Sequence, residues 1–372
     1  MTNIAAYLAS RKLTIEKAAA KAGLSRDRFE QVAGGAGATL GEIRKIAKAL
    51  GVPFSSLMDK APAEPIRMLF RQTLDQREVE VASQVDVVAA QVRDALVIAR
   101  GLPSNLTWLD LFRGLEPRVE SAEDFAQKFR SSIAKLDDLE PFPELPEIIS
   151  ELGIFILFSR DPSVEGVSAI VEGHALVILG PRSFKPRMLF TIAHELGHLV
   201  AHHDSRVSGY AHLDREVSGL REPQRNEEKF ADAFAAALLL PRPGILTALK
   251  AIRDLLRIEK GPLGAIEIAW IAHFFHVSFE VAARRFEVLG LLPSNSARAF
   301  YQKLEDDYGN PERFAAAIDI PPRPDLLISP SQALVDAAVE KVRSGSMSIG
   351  KAAELLNIPV STLVVANADI SV

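Results

Sequence analysis

His194-Glu195-Leu196-Gly197-His198 places two imidazoles and a carboxylate within little more than one turn of what reads as a helix. At 100° per residue His194 and His198 fall on one face, so both rings can reach a single divalent ion. Glu195, beside the first of them, can polarise a water on that ion and take its proton. The chemistry this spacing suits is metal-assisted hydrolysis. Around these residues Met188, Leu189, Ile192, Ala193, Leu196, Leu199 and Val200 share one apolar arc, while Thr191, His194, Glu195, His198 and His202 share another. An amphipathic helix with surface histidines would show a similar periodicity. The gathering of the polar residues into one stripe, with Gly197 leaving room beside the second histidine, favours a metal site.

A catalytic zinc takes three protein ligands and leaves one position for water. The chain has no cysteine, so the third ligand is His, Asp or Glu. The segment Asn226-Glu227-Glu228-Lys229-Phe230-Ala231-Asp232-Ala233-Phe234-Ala235 opens a second strong helix that ends at Pro241. Glu228 and Asp232 lie one turn apart on a shared face, whereas Glu227 aligns with Ala231, Phe234 and Leu238. Glu228 is therefore expected as the ligand, and Asp232 as the acceptor that fixes a ligand histidine through its other ring N–H. The competing readings are that Glu227 and Glu228 merely favour a helix N-terminus, or that Asp204, six residues after His198, is the third ligand. Ala201 stands where a glycine turn would serve Asp204. His202 and His203 read as exposed residues at the helix end.

Arg187, Phe190-Thr191-Ile192-Ala193-His194-Glu195-Leu196-Gly197-His198 and Glu228-Lys229-Phe230-Ala231-Asp232-Ala233-Phe234-Ala235 through Leu238-Leu239-Leu240-Pro241 together resemble the ImmA/IrrE family of metallopeptidases. The resemblance rests on two spaced motifs in order. It implies a gluzincin-like site with His194, His198 and Glu228 on zinc (manganese being the alternative) and Glu195 as general base. Phe230 departs from the family pattern, which commonly has an acidic residue there, but that position points away from Glu228. The family also implies a regulatory endopeptidase acting on a Xre-type transcriptional repressor. Two other readings stand beside it: a DNA-binding transcription regulator whose peptidase domain senses or binds a partner, and a toxin-like peptidase of a two-gene module. Tyr210, His212, His202 and His203, between the two metal helices, are the candidates for stabilising an oxyanion.

The elements that must hold this site read as mainly α with a small β-sheet, an α+β fold. With 372 residues, 48% of them apolar and 24% charged, the chain has material for two or three folded domains. The absence of cysteine fits a reducing compartment. The N-terminus lacks a secretory pattern and no apolar run reaches membrane-spanning length, so a cytoplasmic protein is expected. Five domains are expected: 1–60, a linker and helical segment at 61–140, the peptidase core at 141–243, a helical unit at 244–320 and a small helical module at 321–372. Strands are expected over Gly153–Phe158 and, as a hairpin turning at Glu172-Gly173, over Val167–Leu179. In a peptidase an edge strand beside the metal can bind substrate as an added strand, and Val177-Ile178-Leu179 is the candidate.

The net charge of −5 conceals a basic first segment, since residues 1–60 hold ten Lys/Arg against five Asp/Glu. Helices there are separated by Gly23 and Gly34-Gly35 and restarted by Thr14, Ser25 and Thr39. Ala22-Gly23-Leu24-Ser25, with Leu40 to Val52, resembles the Xre/Cro-type helix-turn-helix domain. That resemblance implies Ser25, Arg26 and Arg28 at phosphate or base edges of DNA, and a homodimer if the site is palindromic. Docking onto another protein is the alternative use of the same unit. Ile268 to Phe286 and Lys351 to Pro359 repeat the helix-turn-helix pattern with too little positive charge to argue DNA contact, and are expected to serve packing or partner recognition. His273 and His276 are expected as core histidines.

Overall fold

A computed structural model describes residues 4, 8, 13–34, 36–50, 57, 79–103, 105–202, 210–215, 226–258 and 261–369. In the basic segment, α1 (Ile15–Ala22), α2 (Arg26–Ala33) and α3 (Leu40–Leu50) enclose a small core of Phe29, Val32, Ile43, Ile46 and Leu50, joined by Ile4, Leu8 and Leu57. All three expected restarts are side-chain caps, Thr39 Oγ1 accepting from the Glu42 amide at 3.2 Å. Thr14 Oγ1 accepts from the Lys17 amide at 3.4 Å and Ser25 Oγ from the Arg28 amide at 3.3 Å, satisfying donors that a helix start leaves open. The expected linker at residues 61–66 lies outside the described residues.

Next in the chain come α4 (Val79–Ala99), α5 (Ala122–Lys128), a π-helical turn (Phe129–Ala134) and α6 (Leu145–Glu151). Three strands follow, β1 (Ile154–Phe158), β2 (Val164–Val171) and β3 (His174–Leu179), then the motif helix α7 (Lys185–His202) and β4 (Tyr210–Arg215). The chain continues through α8 (Asn226–Leu239), α9 (Arg242–Leu256), α10 (Ala265–Phe274), α11 (Phe279–Val288), α12 (Ser296–Tyr308) and α13 (Pro311–Ala317). It closes with α14 (Gln332–Arg343), α15 (Ile349–Leu356) and α16 (Val360–Asp369). The protein is mostly helical with one small sheet, as the α+β expectation required. Among the described residues no single helix is long and apolar enough to cross a membrane.

The four strands run in the order β1-β3-β2-β4, with β1 parallel to β3 and the other pairs antiparallel. The β2–β3 hairpin turns at Glu172-Gly173, both at positive φ, as a two-residue loop between right-twisting strands demands. The structure corrects the expected edge strand. β3, carrying Val177-Ile178-Leu179, is paired on both sides and cannot accept a further strand; β1 and β4 are the margins. β1 is moreover sealed: the Ile156 amide donates to Ser331 Oγ at 2.8 Å and the Ser331 amide to Ile156 O at 3.0 Å.

Alternation along the strands splits the apolar side chains between two layers. Ile154, Ile156, Ile170, Val177 and Leu179 face the layer containing Leu189, Ile192, Leu196 and Leu199 of α7, and Phe230, Phe234 and Leu238 of α8. Phe155, Leu157, Val167, Ala169, Leu176, Ile178, Ala211 and Leu213 face Val88, Val92 and Leu96 of α4, and Leu334, Val339, Leu355, Leu356 and Leu363 of α14–α16. These two cores extend across several elements. One of them runs continuously from Leu109 to Ile328, across the divisions expected near 140, 243 and 320. The other joins α4 to the C-terminal helices through the sheet.

The C-terminal end of α8 is held by two buried arginines. Arg130 donates to Leu238 O at 2.9 Å and Glu140 O at 2.6 Å, pairs with Asp138 at 3.2 Å and reaches Asp137 O. Arg285 donates to Leu240 O at 3.1 Å and pairs with Glu123. Carbonyls at a helix end have no partner in the helix, and cations there oppose the negative end of its dipole. Replacing Arg130 by Met keeps volume and leaves these carbonyls buried without donors. The variant is expected to lose about 3–5 kcal/mol of stability, as for removal of one member of a buried pair; urea unfolding measures this.

Candidate metal centre

The polar arc of α7 is buried. Glu195 and His198 are fully inaccessible and Thr191 and His194 nearly so, which rules out an ordinary helix with solvent-exposed histidines. What covers them is α8, which approaches α7 at Gly197. A Cβ there would stand 3.1 Å from both Ala231 Cα and Phe234 Cδ1. The absent side chain lets the two helices close until a carboxylate on α8 reaches the imidazoles on α7.

That carboxylate belongs to Glu228. Its Oε2 lies 3.4 Å from His194 Nε2 and 3.7 Å from His198 Nε2, and the two nitrogens are 3.1 Å apart. Donors on bonds of about 2.1 Å in a tetrahedral site are separated by about 3.4 Å, so the triangle has the size that one small ion requires. Among the described residues His194, His198 and Glu228 are the group whose ligand atoms converge in this way. Their chemistry fits as well as their spacing. His194 Nδ1 is 3.0 Å from Asp232 Oδ1; with Nδ1 protonated it donates to that carboxylate and leaves the Nε2 lone pair facing His198 and Glu228. Two imidazole lone pairs and a carboxylate aimed at one buried point attract a cation.

The local electrostatics agree. Burial pushes His198 well below the ordinary imidazole range, with further lowering from His212 and His194, so it stays neutral and able to ligate. Burial opposes ionisation of Glu228, but the imidazoles of His194, His198 and His212 around it outweigh that and hold the carboxyl far below its ordinary range. His212 comes from β4, where its ring stacks on that of His198 at 3.9 Å and its Nε2 sits 2.9 Å from Glu228 Oε1. Burial disfavours its charged form, yet Glu228 and Glu195 raise its pKa overall. Of the four residues named as possible oxyanion donors, His212 is brought into this centre, on the oxygen of Glu228 that does not face the two ligand histidines. His203 and the rival ligand Asp204 lie outside the described residues, as do the side chains of His202 and Tyr210.

Other candidate residues go elsewhere. Glu227 is exposed, and Phe230 is buried against Phe125 and Phe234. His273 lies 3.2 Å from Pro321 O and 3.6 Å from Glu312, and neither it nor His276 joins the metal-ligating group. In the basic segment Ser25 is a helix cap, Arg26 forms an exposed pair with Glu16 at 3.0 Å, and Arg28 forks onto Glu42 at 2.7 and 3.0 Å while donating to Gly37 O. Sequence reasoning missed the Glu165–Arg187 fork, 2.7 and 2.8 Å, which ties β2 to α7. Nothing in the periodicity of either segment marks that pairing.

Two families of known domains match the chain. The model of the IrrE N-terminal-like domain, a peptidase family, matches residues 149–287. The model of a helix-turn-helix, Psq domain matches residues 335–367, which hold α14 to α16 apart from their outermost residues. No curated protein matches the chain. The core is thus metallopeptidase-like, and a helix-turn-helix domain stands at the C-terminus, where only packing or partner recognition was expected.

Two outcomes follow from these contacts. Asp232→Asn removes the charged acceptor on His194 and should weaken zinc binding by about 10–100-fold, whereas Glu228→Ala should abolish stoichiometric binding; equilibrium titration with a zinc-competing dye distinguishes them. In the basic segment, the Arg28 fork and the Thr39 hydrogen bonds hold Glu42 down at about 2 against an ordinary 4.5. A depressed carboxylate contributes stability above its unfolded value and loses it as pH falls towards the folded one. Residues 1–60 should therefore weaken between about pH 5 and about pH 2, and Glu42→Gln should flatten that dependence in thermal melts followed by circular dichroism.

Proposed function

We propose that this chain is a zinc-dependent regulatory endopeptidase whose substrate is a Xre-type transcriptional repressor. The observation that carries the reading is the convergence of His194, His198 and Glu228 at one point with the Glu195 carboxylate beside them, inside the region that matches a peptidase family. Two imidazoles and one carboxylate suit zinc, with manganese as the alternative. When bound, the metal supplies Lewis-acid polarisation of a water and of the scissile carbonyl.

The side chains account for the remaining steps. Glu195 takes the proton of the attacking water on its carboxylate and returns it to the leaving amine. Asp232 holds His194 in the ligating tautomer, and His212 holds Glu228 through Oε1. β4 is a margin of the sheet and carries His212 into the centre, so a substrate strand added along it would pass beside the ligands.

We assign DNA contact to residues 1–60, read as a Xre/Cro-type unit, where a dimer would match a palindromic site. Support comes from the capped three-helix core and the excess of five positive charges. By contrast α16, the last helix of the C-terminal unit, exposes Val360, Val364 and Val365 and contains neither Lys nor Arg. A cytoplasmic location fits the absence of cysteine. The matched helix-turn-helix favours a second reading, a DNA-binding regulator whose peptidase centre serves as a sensor.

Cleavage of a purified Xre-type repressor, with and without metal, tests the first reading directly. Glu195→Gln should retain one zinc per chain and cut about 10²–10⁴-fold more slowly. Undiminished cleavage by that variant removes Glu195 from the role. An intact repressor in every arm, together with a gel shift by the full chain, turns the assignment to the second reading.

A further inference from the structure

We propose that Gly166, at a bulge in β2, is a positioning residue that forms the wall against which the Glu195 carboxylate is set; this rests on the reading of Glu195 as general base. Val164 of β2 pairs with Arg215 of β4, and Gly166 pairs with Asp214, so two steps of β2 oppose one of β4 and Glu165 is the extra residue. A bulge of this kind redirects side chains and bends its strand. Here the extra side chain forks onto Arg187, two turns before Glu195 on α7. Thr191, midway between them, donates its hydroxyl to Arg187 O at 3.1 Å. Arg187, Thr191 and Glu195 thus form one stripe along α7, and β2 is pinned to its first member.

At the other end of that stripe the strand backbone meets Glu195. A Cβ on Gly166 would stand 2.8 Å from Thr191 Cγ2 and 3.0 Å from Glu195 Cδ, and would overlap Glu195 Oε1 outright. Those separations lie well inside the 3.5–4.0 Å of a normal carbon contact. The strand backbone therefore occupies the space on one side of the carboxylate, and α7 holds the other. Glu195 can yield to an added methyl because its carboxylate is the mobile end of a two-methylene stem. It yields by leaving its place, and a displacement of about 1 Å at a reacting group can cost about 10² in rate.

Wild type, Gly166→Ala, Glu195→Asp and the double variant separate the possibilities. Each is measured for cobalt bound per chain, melting temperature, and kcat and KM on fluorescein-labelled casein. Gly166→Ala should bind a full equivalent of cobalt and lose about 10²-fold in kcat with little change in KM. In the Glu195→Asp background the shorter acid clears the added methyl while the contact with Thr191 Cγ2 stays, so the further losses in kcat and in melting temperature should both shrink without vanishing. Wild-type kcat in Gly166→Ala, or losses that simply multiply, overturns the proposal. If wild type itself leaves casein intact, the peptidase reading is what fails on this probe. The melting temperatures then still decide the contact: a Gly166→Ala deficit relieved by Glu195→Asp upholds it, and an unrelieved one overturns it. Should Gly166→Ala not fold, Glu165→Gln loosens the same bulge. Full cobalt with lowered kcat supports the wall, and unchanged kcat refutes it.

Discussion

The centre depends on how closely two helix backbones can lie. His194 and His198 project from α7 and Glu228 from α8, and the three donors meet only because Gly197 presents no side chain to Ala231 and Phe234. A methyl group there would push the helices apart by a few tenths of an ångström. Metal–ligand bonds have a narrow length range, so a small separation is enough to weaken all of them. The other features of the front layer serve that approach. The aromatic cluster of Phe125, Phe230 and Phe234 backs α8, and Arg130 and Arg285 fix its far end. The sheet supports α7 along its apolar arc.

The back layer gives the sheet a second set of obligations. α4 and the C-terminal helices bury the opposite faces of the same strands whose front faces carry α7. Arg160, just after β1, donates to the carbonyls of Glu354 and Leu355, and Asn357 donates to those of Phe158 and Ser159. The helix-turn-helix unit is therefore built onto the strands whose other face carries α7, and the two share one sheet instead of a tether.

What could be read without coordinates was local or periodic. The arcs of α7 identified its buried residues, the offset between Glu228 and Glu227 separated the carboxylate that meets His194 and His198 from the exposed one, and Thr14 and Ser25 announced helix starts that the structure shows as caps. The hairpin at Glu172-Gly173 followed from turn chemistry alone. What escaped depends on contacts between residues distant in sequence. Strand order cannot be had from three apolar runs, and nothing in the run of β3 shows that β1 closes against its far side. The extent of the core is likewise not local: the proline-rich joints at 141–146 and 241–243 do not interrupt the apolar cluster that spans them. Gly166 gives no signal in its own strand, because what it accommodates lies 29 positions further on.

Ser331 gives the sheet a polarity of access. By occupying both the donor and the acceptor of Ile156 it terminates hydrogen-bond growth on the β1 side. Unsatisfied strand margins invite adventitious pairing. Among the described residues the opposite margin is β4, the strand that delivers His212 to Glu228. A strand added at β4 would lie beside the His194, His198 and Glu228 cluster, whereas the β1 side is closed by Ser331.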